Sequence, residues 1–79
     1  MYAIVLGAQD DEDMFSMGKE ITGLLRNLPG FEEANIEDQY EDGEVLLGVY
    51  GTTDLTANMV WVALNNGGFE PKSLEVVLK

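Results

Sequence analysis

The stretch from Glu32 to Glu44 reads EEANIEDQYEDGE, with seven acidic residues among thirteen and no basic residue. Polar and apolar residues alternate along much of it, and this period of two predicts a β-strand over residues 31–41. The Asp42-Gly43 pair predicts a two-residue type I′ turn, so the apolar run at residues 45–50 becomes the second strand of a hairpin. The inner face of the first strand would carry Ala34, Ile36 and Tyr40.

The predicted register of this hairpin places one charged residue on the apolar inner face, and this misfit indicates where the strand lies in the sheet. A two-residue turn pairs Glu41 with Glu44 and therefore places Asp38 opposite Leu47, on the inner face. A charge that points inward is one of the devices by which edge strands avoid pairing with other molecules. We therefore expect the strand at residues 31–41 to be an edge of the sheet.

Two segments outside the hairpin predict helices. The first has apolar residues at intervals of three to four and stops before Pro29 and Gly30, which predicts a helix from about Asp11 to Asn27. The second is apolar on most sides and stops at Gly67-Gly68, which predicts a helix from Leu55 to Asn66. The candidate caps for this second helix are Thr52, Thr53 and Asp54.

Strands at Tyr2–Ala8 and Ser73–Leu78 flank these segments, so the predicted order is β-α-β-β-α-β. With right-handed crossovers, the compact arrangement is a four-stranded antiparallel sheet with both helices on one face, which is the α+β ferredoxin-like plan. The first and third strands are then central, and the second and fourth are edges. The alternative is a β-α-β-α-β order in which residues 32–40 form a loop. The alternation and the Asp-Gly turn favour the first arrangement.

The composition limits the class of protein. Seventy-nine residues suit one small domain over residues 1–79, and an apolar fraction of 46% is too high for a disordered acidic tail. Four basic residues against fifteen acidic ones give a net charge of −11. Nucleic acids and anionic membranes attract lysine and arginine, so we expect no direct binding to either. The short apolar opening lacks a basic flank, and we expect a cytoplasmic protein.

The residue types that most enzymes need are missing from the sequence. It has no histidine and no cysteine, which excludes the usual catalytic triads and zinc sites. It also lacks a glycine-rich phosphate loop. The acids at Asp10–Asp13 suggest calcium, but Phe15 stands where the calcium-loop pattern needs a ligand, and an acidic helix start is the simpler explanation. We therefore expect no enzyme, no cofactor and no metal.

The predicted fold leaves one face of the sheet without helices, and this face is the candidate binding surface. Strand alternation gives it an apolar centre made of Ala3, Val5, Leu46, Gly48, Tyr50 and Val77. Its border would be acidic and made of Glu33, Glu37, Glu41, Glu44 and Glu75. An apolar centre inside an acidic border is typical of a docking surface. The candidate partner-binding residues are Glu33, Glu37, Glu41, Asp42, Glu44, Leu46, Tyr50 and Trp61.

These features predict a non-enzymatic acidic module that binds a basic protein surface. In a narrower form of this hypothesis, carboxylates repeating about every 6.8 Å on one side of a strand would imitate a nucleic-acid backbone, and the module would then inhibit a nucleic-acid-binding protein. The small acidic inhibitors that phages encode against host defence systems are similar in composition, although no motif carries the analogy. Three other interpretations stay open. In the first, the acids only keep an edge strand solvated. In the second, the chain is a homo-oligomeric accessory domain that pairs through the Trp61 helix or the open sheet face. In the third, which rests only on the versatility of the fold, the chain is a small-molecule or enzyme module.

Overall fold

In the computed structural model, residues 1–7 and 14–77 are described, and they form four strands and two helices. The strands are β1 (Tyr2–Leu6), β2 (Phe31–Gln39), β3 (Val45–Gly51) and β4 (Pro71–Val76), and the helices are α1 (Met14–Leu25) and α2 (Ala57–Asn66). The order along the chain is β-α-β-β-α-β, so the alternative with a loop at residues 32–40 is wrong. The predicted start of the first helix, at Asp11, lies outside the described residues.

The four strands form a single sheet in the order β2-β3-β1-β4, with every neighbouring pair antiparallel. The central strands are β1 and β3, and the edges are β2 and β4, as predicted. Together with the two helices, this order gives the α+β ferredoxin-like fold. In the described part of the chain, neither helix has the length and the apolar character needed to cross a membrane.

One side of the sheet packs against both helices and forms the hydrophobic core. The residues of the central strands that point there are Ile4, Leu6, Val45, Leu47 and Val49, each at most 1% exposed. The helix residues in the same buried cluster are Met17, Ile21, Leu25, Val60 and Leu64. Burying one such side chain contributes roughly 1.5–3 kcal/mol. Because the chain has no cysteine, and therefore no disulfide, this burial is the main source of stability.

The β2–β3 hairpin has a longer turn than predicted. The backbone N–H of Tyr40 donates to the carbonyl of Glu44 at 2.8 Å, and that of Gly43 donates to the carbonyl of Tyr40 at 3.0 Å. The loop is therefore three residues long, 41–43, and Gly43 adopts a φ of 90°, as is usual at the last position of such a loop. The predicted pairing of Glu41 with Glu44 was wrong. Tyr40, predicted on the inner face, lies past the end of β2 and is 40% exposed.

A β-bulge in β2 changes the predicted register further. Ile36 lies opposite Leu47, but Asp38 lies opposite Leu46, so Glu37 is an extra residue in the strand. Because Leu46 points away from the helices, Asp38 does so too, and it is exposed. The predicted inward orientation of Asp38 was therefore wrong. The edge position inferred from it is nevertheless confirmed by the strand order.

Helix α2 begins later than predicted. Thr56 is its N-cap, with an extended backbone and a hydroxyl oxygen that accepts the N–H of Met59 at 3.3 Å. The predicted caps Thr52, Thr53 and Asp54 were wrong. Leu55 precedes the cap and is only 1% exposed, which places it and Val60 at the two positions of a hydrophobic staple. The hydroxyl of Tyr2 donates to the carbonyl of Leu55 at 2.8 Å and ties β1 to this loop.

Candidate protein-interaction face

The side of the sheet away from the helices, here called the open face, is made of rows of side chains that cross the strands. Residues paired across neighbouring strands share a face, so the register defines each row. The first row is Asp38, Leu46, Val5 and Ser73; the middle row is Asn35, Gly48, Ala3 and Glu75; the third begins with Glu33 and Tyr50. The middle row therefore has the smallest residues on the central strands, with larger residues on both sides.

The centre of the open face is apolar. Its half-buried residues on the central strands are Ala3, Val5, Leu46 and Tyr50, and Gly48 between them is buried. Val77 lies just past the end of β4, is 36% exposed, and donates its N–H to the carbonyl of Met1 at 2.9 Å. The predicted apolar centre is therefore present in the structure.

The carboxylate of Glu37 lies over the sheet instead of at its border. Its Oε1 accepts a hydrogen bond from the hydroxyl of Tyr50 at 2.8 Å. A Cβ atom added to Gly48 would lie 3.0 Å from Cγ and 3.1 Å from Cδ of Glu37, so this side chain covers the glycine. Three features together hold the Glu37 carboxylate of the edge strand above the central strand β3. They are the bulge, the hydrogen bond from the Tyr50 hydroxyl, and the glycine at position 48, which has no side chain to occupy this space.

The pKa of the Tyr50 phenol is raised by the acidic side chains around it. Its hydrogen bond to Glu37 raises the pKa of Tyr50, and burial and the charges of Glu37 and Glu33 raise this pKa further. Ionisation would place another negative charge beside two carboxylates, so the phenol keeps its proton beyond its usual range. At neutral pH, Tyr50 is therefore the donor and Glu37 the acceptor in this pair.

One end of the open face carries an ion pair. The Nζ of Lys72 lies 3.1 Å from Oε2 of Glu44, and a Cβ atom on Gly7 would lie 3.3 Å from Cε of Lys72, so the lysine crosses the end of β1. The hydrogen bond to Glu44 and its charge raise the pKa of Lys72. The two side chains are 55% and 22% exposed, and water screens such a pair, so it contributes little to stability. The ion pair offsets the negative charge of Glu44 at this end of the face.

Four of the eight candidate residues lie together on the open face, and they are Glu33, Glu37, Leu46 and Tyr50. The structure adds Asp38, which stands opposite Leu46. The predicted even row of carboxylates is absent, because the bulge at Glu37 interrupts the alternation and β2 ends before Glu41. The carboxylates on this strand therefore do not reproduce the regular charge repeat of a nucleic-acid backbone.

Of the other four candidate residues, Glu44 lies at one end of the open face and the remaining three lie away from it. Glu41 and Asp42 are exposed in the hairpin loop, and Asp42 accepts the backbone N–H of Glu44 at 3.0 Å. Glu44 itself is half-buried and pairs with Lys72. Trp61 is half-buried on α2, in the helix layer on the other side of the sheet. One flat partner surface on the open face would therefore not reach Trp61.

Metal binding has no support among the described residues. Within residues 1–7 and 14–77, no three acidic side chains come together in a group that could hold a metal ion. The acids at Asp10–Asp13 lie outside these ranges. Both interpretations of that segment, a calcium site and an acidic helix start, therefore stay predictions.

Comparison with known proteins found no matching family model, no matching curated protein and no matching solved structure.

Proposed function

We propose that this chain is a non-enzymatic module that binds a basic protein surface through the open face. The observation that carries the proposal is the half-buried apolar centre of this face with carboxylates beside it, on a chain of net charge −11. An apolar centre with a polar rim is the usual anatomy of a protein interface. The other side of the sheet is already occupied by the core, so the open face is the side that remains for a partner.

The charge supports a basic partner and predicts how binding depends on salt. The exposed acids of the open face are Glu33, Glu37, Asp38 and Glu75. Their field attracts cationic surfaces and is screened by added salt. Charges at a rim mainly raise the association rate, whereas apolar contacts at the centre slow dissociation. We therefore expect the affinity to fall with ionic strength, chiefly through slower association.

Two double variants of equal charge separate the open face from the bulk charge. Glu33→Gln with Glu37→Gln changes the face, whereas Glu20→Gln with Asp54→Asn changes exposed acids on α1 and before α2. Each raises the formal net charge from −11 by two. With an immobilised lysine- and arginine-rich peptide as probe, we expect binding by the first variant to be about five- to tenfold weaker, and the second to resemble wild type. Equal weakening by both would overturn the proposal for this face.

A narrower form of the proposal is that the basic surface is the nucleic-acid channel of another cytoplasmic protein. The chain would then be a nucleic-acid mimic and an inhibitor, like the phage-encoded inhibitors of host defence systems. Its support is the acidic charge alone, because the regular carboxylate spacing is absent. A partner captured by wild type but not by the open-face variant would be tested for DNA or RNA binding. Competition by this chain supports mimicry, whereas simultaneous binding excludes it and leaves the broader proposal intact.

The alternative function is a homodimeric accessory domain, and one observation favours it. Met59 and Val62 are 36% and 45% exposed on α2, the helix that carries Trp61. Exposed apolar side chains on one helix are a common feature of dimer interfaces. Two copies of net charge −11 repel each other, so a dimer would strengthen with added salt. Light scattering over a concentration and salt series decides, because a constant monomer mass removes this alternative.

A further inference from the structure

The middle row of the open face is a shallow trough. Its residues on the central strands are Gly48 and Ala3, which lie opposite each other. The residues of the neighbouring rows that form its walls are Leu46, Val5 and Tyr50. The Glu37 side chain covers Gly48, so the open part of the floor is Ala3, which lies between the apolar walls and suits the apolar stem of a long side chain.

Carboxylates stand at both ends of this trough. At one end, the Glu37 carboxylate is held over Gly48 by the hydrogen bond from Tyr50. At the other end, Glu75 lies opposite Ala3 and is exposed. Neighbouring strands are about 4.8 Å apart, so roughly 10 Å separates Gly48 from Glu75. Because Glu37 is already oriented, a cation that binds it does not have to immobilise a flexible side chain, which lowers the entropic cost of binding.

We propose that this trough takes an arginine side chain of the basic partner, with its guanidinium on Glu37 and Tyr50. The inference rests on the proposed function and names the group that the open face recognises. A planar guanidinium donates two parallel hydrogen bonds to a carboxylate and packs against an aromatic ring. The ammonium of lysine lacks this fork and is more strongly hydrated, so the same trough discriminates against it.

A second copy of this chain is the competing source of an arginine. The sequence has a single arginine, Arg26, which is exposed just after α1. A dimer made through Arg26 would bring together two chains of net charge −11, whereas a basic partner relieves that charge. Charge complementarity therefore favours the partner. The Arg26→Gln variant separates the two sources, because it removes the dimer contact and leaves the trough intact.

The test uses two peptides of equal length and charge, one with arginine and one with lysine at every basic position. By calorimetry, wild type should bind the arginine peptide about two- to fivefold more tightly. Gly48→Ala keeps the net charge but displaces the Glu37 carboxylate, and Glu37→Gln removes its charge, so both variants should lose this preference. The control Glu20→Gln, which changes an exposed acid on α1, should keep it.

Each outcome bears on a different claim, once circular dichroism has shown that every variant is folded. Equal affinity for the two peptides, or a preference that survives in Gly48→Ala, would overturn the arginine site and leave the basic-partner proposal in place. Failure of wild type to bind either peptide would contradict the basic-partner proposal itself. Self-association that Arg26→Gln removes would show that a second copy fills the trough, and this would also overturn the inference.

Discussion

Two glycines of β3 are predicted to differ in how well they tolerate an added methyl group. A Cβ atom at Gly51 would lie 2.5 Å from the carbonyl oxygen of Gly30 and 2.7 Å from Cδ2 of Leu55. Both neighbours are held in place, because the Gly30 oxygen accepts the N–H of Thr52 at 2.8 Å and Leu55 is 1% exposed. Forcing extra atoms into packed surroundings costs about 1–3 kcal/mol. We therefore expect Gly51→Ala to lower the free energy of unfolding by this amount.

The substitution Gly48→Ala meets only the end of an exposed side chain. The atoms in its way belong to Glu37, which can rotate away from the sheet. Losing the hydrogen bond between Glu37 and Tyr50 costs little, because water can replace it at this exposed site. The smaller entropy of the unfolded chain contributes about 0.4–1 kcal/mol in the opposite direction. The two effects offset, so the free energy of unfolding should change by less than about 0.5 kcal/mol.

Urea unfolding, followed by circular dichroism and by the fluorescence of Trp61, measures both variants. A small domain has a urea m-value of about 1 kcal/mol per molar. Gly51→Ala should then lower the unfolding midpoint by about 1–3 M, and Gly48→Ala should change it by less than about 0.5 M. The same midpoint for both variants, or a larger loss for Gly48→Ala, would refute the packing described around these glycines.

Three further predictions concern single side chains. Thr56→Ala should destabilise the fold by about 1 kcal/mol in urea unfolding, because it removes the N-cap of α2. The control Thr53→Ala should have an effect below about 0.5 kcal/mol. Equal effects of the two substitutions would contradict the assigned cap. Tyr2→Phe should cost about 1 kcal/mol because it leaves a part-buried carbonyl without its donor, and an unchanged midpoint would count against that bond. The pKa of Tyr50, read as the ultraviolet difference between wild type and Tyr50→Phe, should fall towards its usual value in Glu37→Gln. Because this pKa is raised in the folded chain, the phenol's stabilising effect is present below the usual tyrosine pKa and is lost as the pH rises through the folded value. If Glu37→Gln left the pKa of Tyr50 unchanged, that result would contradict the hydrogen bond between the two residues.

The order of elements and of strands could be predicted because both rest on strong local signals. Three local signals separate the segments without reference to the rest of the chain: the alternation over residues 33–37, the Pro29-Gly30 stop and the Gly67-Gly68 stop. The rule of right-handed crossovers then leaves few compact arrangements of four strands and two helices. The apolar centre of the open face followed from the same alternation along β1 and β3.

The details of the hairpin could not be predicted from local signals. An Asp-Gly pair suits a two-residue turn, but it equally suits a three-residue loop with glycine in its left-handed last position. The run Glu37, Asp38 and Gln39 breaks the alternation and was the available sign of a bulge. A bulge resolves this break without burying a charge, which is costly without a partner. Its effect on the candidate site, however, depends on Gly48 across the hairpin, and only the register shows that pairing.

The cap of α2 illustrates the same limit. Three threonines and an aspartate lie within residues 52–56, and each has the chemistry of an N-cap. Thr56 is the residue that caps the helix, because Leu55 before it is buried in the core. The carbonyl of Leu55 also accepts the Tyr2 hydroxyl there. These are long-range contacts, and they decide which of several equivalent local signals is used.

A nuclear magnetic resonance titration shows directly whether the open face is the docking surface for a basic partner. The isotope-labelled chain would be titrated with the arginine peptide at low salt, and the shift of every backbone amide would be followed. We predict the largest shifts at Ala3, Asp38, Gly48 and Tyr50, and their loss when salt screens the charges. Largest shifts around Trp61 on α2, or shifts of equal size at Glu20 and Asp54, would contradict the claim.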